Sequence, residues 1–143
     1  YSVGLAPVLA AAAIASIDVL RSEVERVDAL RRNGHLFLDL ARQAGLNVGT
    51  SAGYSVVPVI VGDSLRAVQL SNELLEAGVN ALPIIHPAVQ EGLARLRFFL
   101  TADHTPEQIA RAVSLTAEIL KDLERRKVGL GSIDIQQAAK FIS

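Results

Sequence analysis

Two arginines, Arg95 and Arg97, stand at alternate positions of the apolar segment "LARLRFFLT", just before a strong helix start. In a strand this alternation would give each face its own set of side chains: Ala94, Leu96, Phe98 and Leu100 on one, Arg95, Arg97, Phe99 and Thr101 on the other. Arg97 has apolar neighbours in sequence, so its guanidinium has few local partners. A guanidinium matches a carboxylate through two parallel hydrogen bonds. Carboxylate binding, an internal salt bridge and plain exposure all remain open for Arg97.

No other residue set has the types and spacing of a self-contained active site. The sequence has no cysteine, and its three histidines, His35, His86 and His104, lie too far apart to suggest a metal site. There is no His-Glu-x-x-His motif, no Ser/His/Asp set and no carboxylate pair in an apolar context. We therefore predict no catalytic residue and no metal ligand. His104 is expected to bond locally beside a helix cap.

The first part of the sequence is predicted to be helical. Pro7 is suited to begin a helix, and the alanine-rich segment after it continues to about Arg21. Ser22, with Glu25 three residues later, is predicted to cap a second helix that ends at Gly45. The apolar pattern of this helix continues in phase through Asn33-Gly34, so we expect one helix there and not a hairpin.

Strands and helices alternate in the rest of the sequence. "YSVVPVIVG" is predicted as a strand with Pro58 at an edge or bulge, followed by a helix capped by Asp63 or Ser64 that stops at Gly78. "VNALPII" and the segment 94–101 are two further strands, and Thr105 begins a last helix with a capping box. The order predicts an α+β domain with a small, mainly antiparallel sheet of about three strands covered by helices.

Length and composition limit the possible classes of protein. The 143 residues match one domain, and 14 basic against 15 acidic residues give no positive surface for nucleic acid. The apolar segment 5–17 is too short for a membrane span. The absence of cysteine favours a cytoplasmic protein. Because the sequence starts at Tyr1 and contains no methionine, we expect a fragment of a longer protein.

The segment "GVNALPIIHPAVQEGLARLRFFLTADHTPEQI" resembles the C-terminal signature of the pyridoxal-phosphate-dependent α-oxoamine synthases. That signature is Pro-x-Val-x-x-Gly-x-Ala-Arg-Leu-Arg followed closely by His-Thr. "YSVGLAP" is similar to the family segment that enters the small domain, so the resemblance covers residues 1 to about 125. It implies the small C-terminal domain of a fold-type I pyridoxal-phosphate enzyme. Residues 1–127 would form this domain, with leading helices in 1–45 and the sheet with its helices in 46–127, and residues 128–143 a tail or linker.

The resemblance also implies a reaction and the residues that serve it. These enzymes condense an amino acid with an acyl thioester, either acyl-CoA or an acyl carrier protein, on pyridoxal phosphate, and they work as homodimers. The second arginine of the motif, here Arg97, grips the amino-acid carboxylate, whereas Arg95 is expected to be structural. His86 and Ala88 lie on a loop that borders the substrate site in the family.

Some positions depart from the family pattern. Val3 and Gly4 replace hydroxyl residues that reach the cofactor phosphate of the neighbouring subunit, so only Ser2 is left for that contact. Gln90 replaces a usual proline. The cofactor lysine belongs to the large domain in the family, and Lys121, Lys127 and Lys140 lack its motif. The chain alone is therefore expected to be inactive and to bind no cofactor.

Two alternatives remain open at this stage. The first is another fold-type I pyridoxal-phosphate enzyme, such as an aminotransferase. The second is a non-catalytic module that binds a small acid through Arg97 or pairs through its sheet edge.

Overall fold

The computed structural model describes residues 4–132, which form four α-helices and one three-stranded sheet. The elements are, in chain order, α1 (Pro7–Ser22), α2 (Val24–Gln43), β1 (Val56–Gly62), α3 (Ser64–Glu76), β2 (Leu82–Ile84), β3 (Ala94–Phe99) and α4 (Pro106–Arg125), followed by a 3-10 turn (Leu130–Ser132). This confirms the predicted α+β class and the predicted order of elements.

The sheet is antiparallel throughout, in the order β1-β3-β2. Pro58 lies in the edge strand β1, where a missing N–H donor does least harm, as predicted. β3 ends at Phe99, two residues earlier than expected, because the chain then turns and the Thr101 amide donates to Nδ1 of His104 at 3.1 Å. His104 therefore bonds locally beside the Thr105 cap, and the capping box of Thr105 and Gln108 is present.

One face of the sheet carries the hydrophobic core. Leu96 and Phe98 of β3 and their cross-strand partners Val59 and Val57 of β1 are buried under α2 and α3. The Phe98 ring lies 4.8 Å from that of Phe37 in α2, centroid to centroid. α4 packs against α2 and α3, so the helices lie together on this side of the sheet.

The predicted serine cap of α2 is wrong. Ser22 is still part of α1, and its hydroxyl donates to the backbone oxygen of Asp18 at 2.9 Å, in the preceding turn. The residue between the two helices is Glu23, which makes no side-chain cap. A serine inside a helix can satisfy its hydroxyl locally, so its presence did not mark the boundary.

The Asn33-Gly34 pair lies inside α2, as predicted, and both residues have a packing role. The Asn33 side-chain amide is buried and donates to the backbone oxygens of Thr101 and His104, at 2.9 and 2.8 Å. A Cβ on Gly34 would lie well inside van der Waals contact of the backbone of residues 53–54. These two residues therefore fix α2 against the loops before β1 and after β3.

The first residues of the predicted tail contact the domain. The Leu130 amide donates to Oδ2 of Asp63 at 2.7 Å, and Nε of Arg66 donates to the Val128 oxygen at 2.9 Å. The division between residues 127 and 128 stays a prediction, and residues 133–143 lie outside the described residues.

Gly34→Ala is expected to destabilise the protein by about 1–3 kcal/mol, the range for overpacking a tight site. In an unobstructed helix the same change would stabilise by roughly 0.5–1 kcal/mol. Thermal or urea unfolding measures the difference, with the exposed α2 substitution Arg32→Ala as control. A rise in stability for Gly34→Ala would contradict the packing described here.

Candidate functional site

Nothing in residues 4–132 covers the face of the sheet opposite the helices, and we call it the open face. Its side chains come from alternate positions of all three strands: Val56, Pro58, Ile60, Leu82, Ile84, Arg95, Arg97 and Phe99. Val56, Leu82 and Phe99 are 39%, 57% and 54% exposed. The open face is therefore an apolar surface with two guanidinium groups from its central strand.

Arg97 lies at the middle of the open face. Its cross-strand partners are Pro58 on one side and Leu82 on the other, and its guanidinium carbon lies over the Phe99 ring, 5.4 Å from the centroid. The side chain is exposed, and within residues 4–132 it forms no salt bridge. The sequence left an internal salt bridge open, and the described part of the chain contains none for Arg97. Its N–H donors are available to a carboxylate from elsewhere.

Arg95 differs from Arg97 although it lies on the same face. Its Nε donates to the backbone oxygen of Leu93 at 3.0 Å, and the residue is half-buried. This contact holds Arg95 against the start of its own strand. Of the two motif arginines, Arg97 is thus the exposed one and the one whose side chain forms no hydrogen bond in residues 4–132.

The loop 85–93 joins β2 to β3 and exposes His86 and Ala88, the two predicted substrate contacts. It is fastened to the start of α3 by Glu91, whose carboxylate accepts from the Ser64 amide at 3.0 Å and from the Ser64 hydroxyl at 2.5 Å. The His86 amide lies 3.4 Å from the same hydroxyl. Glu91 and Ser64 therefore hold the loop at both of its ends.

The sequence analysis missed the pair of Glu91 and Ser64, because 27 residues separate them and no local pattern joins them. The Ser64 hydroxyl and then its amide lower the pKa of the Glu91 carboxyl, since both hydrogen bonds favour its charged form. With a lowered folded pKa, the stabilisation is complete above the ordinary glutamate value of about 4.3 and is lost as the pH falls through the folded value.

Helix α1 forms a second apolar surface. It contacts α2, yet none of its residues is buried, and Val8, Leu9, Ile14, Ile17 and Leu20 are all exposed. A helix that is apolar on all sides is normally covered by other protein or by lipid. Within residues 4–132, however, no helix combines the length and apolar character needed to cross a bilayer.

The described residues do not fit pyridoxal phosphate on their own. A Schiff base needs a lysine, and the lysines of residues 4–132 are Lys121 on α4 and Lys127 just after it, on the helical side away from the open face. Ser2, the predicted phosphate contact, lies outside the described residues. Within the described range there is also no cluster of three His, Asp or Glu side chains that could hold a metal. Within the described residues, the open face carries the exposed guanidinium of Arg97 but no lysine to which the cofactor could attach.

Residues 1–115 match the family model for aminotransferase class I and II, so the chain belongs to that family. Among its relatives are 8-amino-7-oxononanoate synthase of Symbiobacterium thermophilum, 38% identical over 123 residues, and 2-amino-3-ketobutyrate coenzyme A ligase of Salmonella typhimurium, 34% identical over 123 residues. Each match covers 86% of this chain and 31% of the relative. The predicted resemblance to α-oxoamine synthases is thereby confirmed, and the chain spans about a third of the length of these relatives.

Solved structures agree on the fold. Sphingomonas wittichii serine palmitoyltransferase superimposes with a TM-score of 0.74 at 27% identity, over 85% of this chain and 31% of that one. A structure of SPT with PLP gives a TM-score of 0.76 at 23% identity, over 87% and 31% of the two chains. The α+β fold with its three-stranded antiparallel sheet is therefore the fold found in part of these pyridoxal-phosphate enzymes.

Glu91→Ala is expected to speed amide hydrogen exchange at Ser64, which loses its acceptor, and across the loop 85–93, which loses its attachment to the start of α3. Exchange followed by mass spectrometry on peptides from these two segments measures the change. Glu76→Ala, at the exposed far end of α3, is the matched control. Equal exchange in the two variants would show that Glu91 does not fasten the loop.

Proposed function

We propose that this chain is the small C-terminal domain of an α-oxoamine synthase and supplies the arginine that binds the substrate carboxylate. The complete enzyme would condense an amino acid with an acyl thioester, acyl-CoA or acyl carrier protein, with pyridoxal phosphate supplying the electron-withdrawing group. The observation that carries the proposal is Arg97: an exposed guanidinium, centred on an apolar face, with no carboxylate partner in the described residues.

The surroundings of Arg97 favour this role once the face is covered. An ion pair in water is worth little, but its strength rises as the effective dielectric constant falls. Pro58, Leu82 and Phe99 are apolar, so a protein surface laid over them would exclude water from around the guanidinium. Helix α1 supports the same proposal, since none of its residues is buried and further protein could cover its apolar surface. In this proposal that protein is the large domain, which also brings the cofactor lysine.

The remaining parts of the proposal follow from the resemblance and from the loop geometry. His86 and Ala88 would border the substrate, on a loop fixed by Glu91. Ser2 would contact the cofactor phosphate of the neighbouring subunit in a homodimer. Residues 1–127 would be the domain and 128–143 a tail or linker. The enzyme would work in the cytoplasm.

Arg97→Ala in the complete enzyme is expected to weaken use of the amino acid by about 2 to 5 kcal/mol, the scale for removing one partner of a buried charged pair. Steady-state kinetics with serine, alanine and glycine against acyl-coenzyme A measure kcat/KM for each. Arg95→Ala is the matched control, because Nε of Arg95 donates to the backbone oxygen of Leu93. Unchanged KM and kcat for the amino acid in Arg97→Ala would rule out the carboxylate role.

The 143-residue chain alone is expected to be inactive and to bind amino acids too weakly to titrate, because it would hold only half of the site. Isothermal titration with serine, alanine and glycine tests this. Binding of an amino acid at micromolar Kd, lost in Arg97→Ala, would favour a free-standing acid-binding module over the domain of an enzyme.

An aminotransferase is the second candidate, favoured by the family model that matches residues 1–115. It would use the same arginine for the same carboxylate, so the arginine variants do not separate the two reactions. Whether the reaction requires an acyl thioester does separate them. A complete enzyme that transfers an amino group to a 2-oxo acid without any acyl thioester would be an aminotransferase.

A further inference from the structure

Phe99 is a large aromatic residue that burial does not explain. It is 54% exposed on the open face, while the core positions of the same strand, Leu96 and Phe98, are 0% and 5% exposed. Its cross-strand partner is Val56, also exposed. The ring of Phe99 contacts one charged group among the described residues. That group is the guanidinium of Arg97, two positions earlier on the same face. Phe99 therefore makes its contact toward the proposed site and away from the core.

The other well-held arginines of the described chain are fixed by oxygen acceptors. Nε of Arg95 donates to Leu93, Nη2 of Arg111 to Ala77 and Nη2 of Arg126 to Glu73. Each of these contacts occupies an N–H donor that could otherwise bind a ligand. Arg97 instead meets an aromatic ring, which attracts the cation through its face and offers no oxygen acceptor. The ring thus restricts the guanidinium while its donors remain available.

This arrangement suits an arginine that binds a carboxylate. A long arginine side chain loses rotamer freedom when it binds, and holding it beforehand reduces that loss. The guanidinium also stacks on aromatic faces without giving up the planar fork that pairs with a carboxylate. A hydrogen-bond acceptor would occupy at least one of the five guanidinium N–H donors, whereas the ring face occupies none.

We infer that Phe99 is a positioning residue of the proposed site, holding the Arg97 guanidinium over its ring so that the N–H donors face the amino-acid carboxylate. The inference rests on the proposed role of Arg97. Phe99 itself does not contact the reacting atoms and acts through Arg97 alone.

The test compares two substitutions of Phe99 in the complete enzyme. Phe99→Ile keeps an apolar, strand-favouring side chain but removes the ring, and it should lower kcat/KM for the amino acid about three- to tenfold, the range for a cation-π contact, through KM. Phe99→Tyr keeps the ring and should stay within about twofold of the parent. The KM for acyl-coenzyme A should not change in either. Val56→Ala, on the same face, controls for lost apolar area.

A double-mutant cycle separates this inference from the proposed function. In an Arg97→Ala background, Phe99→Ile should have almost no further effect, because the residue that it positions is gone. If Arg97→Ala itself is harmless, the proposed function fails. If Arg97→Ala is harmful while Phe99→Ile is harmless, or the two effects simply multiply, the positioning role alone is overturned.

A second readout does not depend on activity. The Nε–H resonance of Arg97 in the NMR spectrum should be displaced by the ring current of Phe99 and should move toward the position of an ordinary arginine in Phe99→Ile. The Nε–H resonance of Arg95 serves as internal reference and should stay in place. An Arg97 resonance that is the same with and without the ring would overturn the inference whatever the kinetics show.

Discussion

The alternation of side chains along β3 is the constraint on which the rest of this structure depends. One face of the strand is fixed by the core, where Leu96 and Phe98 lie under α2 and α3. Side chains alternate along a strand, so Arg97, between these two residues, and Phe99, just after them, must point to the opposite side. Because the helices lie together on one side of the sheet, the described part of the chain leaves that opposite side open. Burial of one set of residues thus presents the other set to a ligand or to further protein.

The loop before β3 is held by the start of α3, which also contacts the C-terminal segment. The start of α3 has Asp63 as its cap, which accepts from the Arg66 amide and from Leu130 of the C-terminal segment. The next residue, Ser64, gives both of its donors to Glu91. One helix start therefore fixes the loop of His86 and Ala88 and the beginning of the predicted tail. A substitution at this helix start would therefore disturb both the loop 85–93 and the segment around Leu130.

The uncovered surfaces connect the fold to the proposed function. Helix α1 has no buried residue, and the open face carries exposed apolar side chains around Arg97. The relatives are about three times as long as the matched part of this chain. Both observations are consistent with a domain that works inside a larger enzyme. Protein covering the open face would exclude water from the Arg97 guanidinium and so strengthen its pairing with a carboxylate.

Much of this could be predicted from the sequence because the deciding signals are local. The two-residue alternation gave both faces of β3, the capping box began α4, and the motif around Arg97 indicated the family. The prediction that Ser22 caps α2 was wrong because a serine hydroxyl can also form a hydrogen bond within its own helix, as Ser22 does in α1.

Only the tertiary structure decided what distant segments do to one another. It brought Glu91 to Ser64 and Asn33 to the loop after β3. Among the described residues it also left one face of the sheet uncovered and placed Arg97 over a ring and not beside a carboxylate. Side-chain periodicity is a property of the chain and can be read along it. Which segments meet is set by burying the core, and no local pattern records that.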